Sequence, residues 1–192
     1  SVFKRPSKHT KGEFDYLITY VDDLFLITDS PQEVWADIQQ TFEMKDPAPL
    51  TKFIGLEGGP TETGTSVSQE SYCRKLCEDF FQAAGIDKDK VRKVKTPMVH
   101  NQWDETPGKY QDICRRFVGG LLFLTRVSRP DAMYTTSWLS RYVSSWNRSC
   151  DSTLERCFAY LWHTQNAKLE GTLTTSLAEI SNLQLEIIVD AD

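Results

Sequence analysis

Two aspartates, Asp22 and Asp23, stand side by side at the centre of Asp15–Thr28, which reads DYLITYVDDLFLIT. Leu17, Ile18, Tyr20 and Val21 precede them and Leu24, Phe25, Leu26 and Ile27 follow. A β-rich run interrupted in this way folds as strand, turn, strand, with the acids at the turn. Burying an unpaired carboxylate costs several kcal/mol or drives its pKa up until it is neutral. The pair is therefore either a solvated turn or a site with something positive beside it. In the second case two hard oxygen donors suit Mg, which can align a nucleotide's phosphates for in-line attack.

The rest of the chain alternates clear signals with breakers. Ser30-Pro31-Gln32-Glu33 has the form of a capping box with proline at the first helical position, and Val34, Trp35, Ile38 and Phe42 continue it, so a helix is expected from Pro31 to Phe42. Pro47 and Pro49 close that helix. Lys52 to Glu57 and Thr65 to Gln69 are β-like arms around the turn-rich stretch Gly58 to Gly64, which predicts a second hairpin. From Gln69 to Ala84 the apolar positions Tyr72, Cys73, Leu76, Cys77, Phe80, Phe81 and Ala84 keep helical spacing, and Gly85 stands where a helix stops. Residues 87–104 read as an exposed connector. Helical patterns return at Tyr110 to Thr125, Pro130 to Ser144 and Ser152 to Thr164, and Leu183 to Val189 alternates as a strand that delivers Asp190 and Asp192.

Several classes fall away on composition. Five cysteines (Cys73, Cys77, Cys114, Cys150, Cys157) form an odd set without a CxxC pair, beside only three scattered histidines. Ordinary buried thiols in a reducing, intracellular setting are expected, not a disulfide framework or a zinc knuckle. With 40% apolar residues, and no apolar run long enough to span a bilayer, no membrane partner is expected. Beginning at Ser1 and stopping inside an apolar run, the chain reads as a fragment of something longer. Arg129-Pro130-Asp131 is readable as a helix start, and Trp138, Tyr142 and Trp146 as a packing stripe.

Tyr20-Val21-Asp22-Asp23 between two apolar strands resembles the catalytic hairpin of reverse transcriptases, specifically those of copia-like LTR retrotransposons. Further motifs follow in order. Phe53-Ile54-Gly55-Leu56-Glu57 is similar to the family's FLGIE-like primer grip, and Ser68-Gln69-Glu70-Ser71-Tyr72 to its SQ-x-x-Y helix start. Lys95-Thr96-Pro97-Met98 resembles the TPM connector; Val118 to Thr125 with Arg129 to Ala132 resembles the VGxLLYLT and TRPDI pair. Tyr160-Leu161 with Thr164 is similar to YLKGT, although Trp162-His163 replaces Lys-Gly, and Asp29 stands where the family often has glycine. Asp190-Ala191-Asp192 resembles the DADWAG opening of the family's ribonuclease H domain.

The resemblance implies an α+β chain. Residues 1–69 would be the end of a polymerase palm, with catalytic hairpin, helix and primer-grip-like hairpin. Residues 70–108 would be a thumb-like helix and basic connector, 109–182 a helical connection, and 183–192 the first strand of a ribonuclease H-like domain. It implies RNA-directed DNA synthesis by two-metal nucleotidyl transfer, with two Mg or Mn ions per active site. Asp22, Asp23 and Asp190 would be the catalytic and metal-binding residues, and the remaining ligands would lie outside the fragment. Phe53, Gly55, Gln69, Lys88, Lys90, Arg92, Lys93 and Lys95 would contact nucleic acid.

Implied partners are an RNA template, a DNA primer, an RNA/DNA hybrid, deoxynucleoside triphosphates, and the protease and integrase of the parent polyprotein. The implied location is a cytoplasmic virus-like particle with nuclear entry. The rival readings are a catalytically dead retroelement remnant that at most binds nucleic acid or a partner, and a small acidic metal-binding domain unrelated to polymerases. The net charge of −5 argues against a nucleic-acid binder only as an average. Residues 13–79 carry 14 acids against 4 bases, whereas 80–95 carry 5 bases against 2 acids and 109–156 carry 8 against 4. Acid gathers where metal would be held and base where a duplex would run.

Overall fold

The computed structural model describes residues 1–48, 51–62, 64–100 and 103–172. Three antiparallel strands, β1 (Val2–Pro6), β2 (Phe14–Tyr20) and β3 (Asp23–Ile27), form a first sheet in the order β1-β2-β3. β2 and β3 are the expected hairpin; β1 is an additional strand, carried by Val2-Phe3 and closed at its end by Ser7 N–H donating to Glu13 O. Pairing of Phe3, Leu17 and Leu26 puts them on one face, and α1 (Pro31–Gln39) covers that face with Val34 and Ile38 around a cavity of about 140 Å³. The opposite face carries Val2, Ile18 and Phe25, then Lys4, Tyr16 and Ile27, and last Tyr20 with Asp23.

α1 keeps Pro31 in its first turn, but Ser30 makes no side-chain cap bond. Its hydroxyl is paired with Thr10 Oγ1 at 2.9 Å, and this tertiary contact takes the place of the expected capping box. Asp15, on the same face as Arg5, is buried between α1 and the sheet. Burial raises its carboxyl pKa, and hydrogen bonds from Thr28 (2.7 Å) and Arg5 (3.0 Å) outweigh that, leaving it below the usual carboxylate value.

A second sheet has the order β4-β5-β6-β7, with β4 (Lys52–Phe53), β5 (Leu56–Thr61), β6 (Gly64–Ser68) and β7 (Leu169–Thr172). The hairpin between Lys52 and Gln69 therefore has two turns, not one. β5 runs straight through Gly58-Gly59, where the turn-rich composition predicts a turn. Proline at position 60 is tolerated because, among the described residues, β4 pairs no further than Glu57 and makes no demand on the missing N–H. β7 comes from a distant part of the chain and pairs antiparallel with β6, Val67 opposite Leu169 and Gly64 opposite Thr172.

The core belongs to the helices α2 (Glu70–Ala84), α3 (Cys114–Val127), α4 (Met133–Ser140) and α5 (Arg148–His163). Phe80 lies at its centre, stacked on Phe158 at 4.1 Å and edge-on to Phe117 (5.2 Å) and Tyr110 (5.5 Å). All five cysteines are free and buried, and burial pushes the Cys157 thiol up to about 12. Three helix starts differ from the periodicity for local reasons. α3 begins at Cys114, not Tyr110, because the N–H groups of Lys109 and Tyr110 donate to the Asp151 carboxylate at 2.7 and 3.1 Å. α4 is preceded by a 3₁₀ turn over Pro130–Ala132. α5 begins four residues early because Asn147 caps it, accepting from Cys150 N–H at 3.0 Å. Among the described residues no helix is long and apolar enough to cross a membrane.

Candidate functional site

The pairing of Tyr20 with Asp23 leaves Val21 and Asp22 as a two-residue hairpin loop. Val21 takes φ 51° and is 86% exposed. A left-handed residue at the first loop position is the pattern of a type II′ turn, where glycine is the usual occupant. A β-branched side chain there costs on the order of 1–3 kcal/mol. The strain puts Asp22 at the exposed tip and Asp23 at the first position of β3, also exposed, on the face that α1 leaves open.

The second hairpin repeats the device. Phe53 pairs with Leu56, so Ile54 and Gly55 form the loop, with φ 54° and 75°. Two successive left-handed residues make a type I′ turn, which asparagine-glycine would fill without strain; isoleucine is a costly first residue. Gly55 meets its conformational need, and the ring of Phe123 on α3 lies 3.8 Å from where its Cβ would be. Phe123 in turn is edge-on to Tyr72 of α2 at 5.1 Å. The two hairpins meet through Phe25 of β3 and Phe53 of β4, rings 5.4 Å apart, beside an apolar cavity of about 230 Å³ floored by Gly58, Gly59 and Val67.

Other residues singled out from the sequence are placed as follows. Gln69 is 1% exposed, its Oε1 accepting from Ser128 Oγ at 2.9 Å, while its Nε2 has no partner among the described residues. It is a joint between β6, α2 and α3, not a surface contact, and the expectation that it faces nucleic acid is corrected on that ground. Lys88 is tied to Glu78 (3.2 Å) and Lys90 to Asp87 (3.1 Å). Arg92, Lys93 and Lys95 are exposed and have no ion-pair partner among the described residues. The connector that carries them is strapped to α5, with His163 Nε2 2.9 Å from Val91 O and Arg156 Nε donating to Thr96 O at 3.0 Å. Asp190 and the expected strand Leu183 to Val189 lie outside the described residues.

Asp22 and Asp23 fit a hard divalent cation in kind, since Mg is commonly held by one or two carboxylates together with substrate phosphates. Among the described residues no three His, Cys, Asp or Glu side chains converge as a closed metal cage. The pair could anchor a metal only together with groups from elsewhere.

One polar centre was not foreseen. Arg129, 2% exposed, donates Nε and Nη2 to the two oxygens of Asp131 at 3.0 and 2.7 Å, Nη1 to Thr164 O at 2.9 Å, and Nη2 also to Thr164 Oγ1 at 2.7 Å. Tyr160 Oη donates to Asp131 at 2.8 Å. Burial raises the Asp131 pKa, and the bonds from Arg129 and Tyr160 more than offset it, so the carboxyl sits below its usual value. The Arg129-Pro130-Asp131 and Tyr160-Leu161…Thr164 segments, separate in sequence, are thus one network. The arginine two residues before an acid, at the end of an apolar helix, was the available signal.

No family model matches the chain, and no solved structure matches it. Among known proteins it is 31% identical over 184 residues to an uncharacterized mitochondrial protein of Arabidopsis thaliana, AtMg00810, covering 92% of this chain and 71% of that one. It is 27% identical over 171 residues to a Saccharomyces cerevisiae protein named for transposon Ty5-1, YCL074W, covering 85% and 54%. It is 26% identical over 156 residues to the retrovirus-related Pol polyprotein from transposon RE1 of Arabidopsis thaliana, covering 79% and 10%. The chain therefore spans about half of the yeast protein and a tenth of the polyprotein.

Proposed function

Starting from a chain that belongs to the family of AtMg00810, and that is retrotransposon-derived as its Ty5-1 and RE1 relatives are, we propose that it is the part of a reverse transcriptase carrying the metal-binding hairpin and the primer-positioning hairpin. The observation that carries this reading is the junction at Phe25 and Phe53. It sets the strained tip displaying Asp22 and Asp23 on one sheet beside a second strained tip on the other. Backbone strain of this kind persists only where the surroundings over-determine it, and it gathers at functional sites.

In this reading Asp22 holds Mg or Mn, and Asp23 shapes the site next to it. The bound ions, when present, stabilise the attacking and leaving oxygens of nucleotidyl transfer. Among the described residues β3 is an edge strand of its sheet, which would leave an edge for a further strand bearing a third carboxylate. The hairpin Lys52–Glu57 seats the primer strand, and Arg92, Lys93 and Lys95 supply charge to a duplex backbone. Asp190 would open the adjoining ribonuclease H site. RNA template, DNA primer and deoxynucleoside triphosphates are the substrates, and the remaining polyprotein is the partner.

The test is Mn²⁺ titration and primer extension with the polypeptide extended upstream, wild type against Asp22→Asn. Extension is expected to fall by at least about 100-fold, since a metal ligand supplies several kcal/mol of transition-state stabilisation. Metal affinity is expected to weaken with it. Unchanged metal affinity and extension would refute the assignment, and duplex binding without extension by the wild type would point to a remnant that has kept only its nucleic-acid surface.

A further inference from the structure

The two residues that follow α3 hold the approaches to two different strands of the second sheet. Ser128 Oγ donates to Gln69 Oε1 at 2.9 Å, and Gln69 directly follows Ser68, the last residue of β6. Arg129 donates to both oxygens of Thr164, the C-cap of α5, and five residues later Leu169 begins β7. The grip falls at the end where β6 and β7 first pair, Val67 opposite Leu169.

β7 needs such a grip. None of its four residues is buried, Leu169 being 41% exposed, so it reaches no core and backbone pairing is its main attachment to the sheet. A strand without a buried face has weakly specified register and is prone to slip. At the far end the fit is unforgiving, because a Cβ on Gly64 would lie 1.9 Å from Gly171 O, so only a glycine there lets the two backbones approach. The same helix touches the sheet once more, since Phe123 packs at Gly55 on the tip of the β4–β5 turn.

We propose that Ser128 and Arg129 are positioning residues that fix the register of β7 on β6 through Gln69 and Thr164. They thereby seat the Lys52–Glu57 hairpin, whose tip rests on Phe123 of the same helix. α3 thus closes a bracket around the second sheet, with Phe123 at the hairpin tip and Ser128-Arg129 at the paired strand ends. The role assigned to the hairpin rests on the polymerase reading; the clamp itself does not.

The test is hydrogen exchange on the full chain, wild type against the pair Ser128→Ala and Thr164→Val, with Thr164→Ser as the conservative variant. Losing two such bonds is expected to raise exchange of the β6 and β7 amides about tenfold while α2 and α5 keep their protection. Thr164→Ser in place of Thr164→Val retains the hydroxyl and should recover the Thr164 share of the protection. Unchanged strand exchange overturns the clamp. So does a loss spread evenly over the helices, which would make the network a general part of the core. Primer extension by the upstream-extended polypeptide carrying the same variants separates the second claim. A raised KM for primer–template with kcat kept supports the seating role, whereas loosened strands with unchanged extension overturn the hairpin's part in the reaction and leave the clamp standing.

Discussion

Phe80, Phe117, Leu121, Leu124, Leu139, Leu154, Phe158 and Leu161 have no solvent exposure, and all lie on α2 to α5; among the described residues before Gln69, Val34 and Asp15 alone are buried. The helical part is held by close-packed aromatics and buried thiols. The hairpin part is held by strand pairing, by one helix over one sheet face, and by the Phe25–Phe53 contact. The contrast is chemical as well as mechanical. Acids at exposed tips and left-handed β-branched residues belong to the thinly packed part, and the well-packed part supplies the frame that can carry that strain. On the proposed reading the acids stay exposed to reach a metal and a nucleic acid, and the rigidity of the tips is borrowed from a neighbour.

The contrast predicts unequal costs for equal truncations. Phe80→Ala removes the ring at the centre of four aromatic contacts, and should destabilise the protein by about 3–5 kcal/mol in urea unfolding followed by far-ultraviolet circular dichroism. Phe25→Ala, at a half-buried ring with one aromatic neighbour, should cost about 1 kcal/mol. Equal losses would mean that the hairpin part has a core of its own.

Acid should reach the helical part through Asp131. Its folded pKa lies below the ordinary value of 3.8, so the charged form is the one the fold favours. The stability it contributes is complete above the unfolded value of about 3.9 and is lost as pH falls through that value toward the folded one. Because the Asp131 side chain is 39% exposed, solvent reduces the gain. Urea midpoints should therefore be flat between pH 7 and 5 and fall below pH 4, and Asp131→Asn should flatten that fall. An unaltered acid limb in Asp131→Asn would show that other carboxylates, Asp15 first, carry it.

Much of the helical part was legible because helical periodicity is a local signal that long apolar stretches repeat many times. α2 was read within one residue at its start and to its end at Ala84. What failed was set by partners far away in sequence. Asp151 captures the amides that would have begun α3, Thr10 takes the hydroxyl that would have capped α1, and β7 pairs with a strand about a hundred residues before it. At the candidate site, Asp22, Asp23, Phe53 and Gly55 could be picked out because their neighbours form ordered motifs. Gln69 could be picked out too, but not its burial, since nothing local to Ser68-Gln69 reveals Ser128. For Arg129 the pairing with Asp131 had a local signal, whereas its bonds to Thr164, 35 residues away, had none.

Relieving the strained tips should sharpen the comparison further, on a smaller scale. Ile54→Asn creates an asparagine-glycine type I′ turn, and should stabilise the second sheet by about 1 kcal/mol, read as slower exchange of the β4 and β5 amides. A faster exchange would mean that the Ile54 side chain contributes packing worth more than its strain.

The smallest change in stability is expected at the residue with the largest proposed role. Asp22 is exposed at the loop tip, next to a second carboxylate at Asp23 and without an ion-pair partner among the described residues. Replacing it with Asn removes one of two like charges at close range, a repulsion that water screens to well under 1 kcal/mol. Asp22→Asn should therefore change the free energy of unfolding in urea by no more than about 0.5 kcal/mol, and if anything raise it. A marked destabilisation would assign Asp22 to holding the turn and weaken its claim as a metal ligand. A neutral result joined to loss of Mn²⁺ binding would mean that the acid is kept at a cost the fold itself never required.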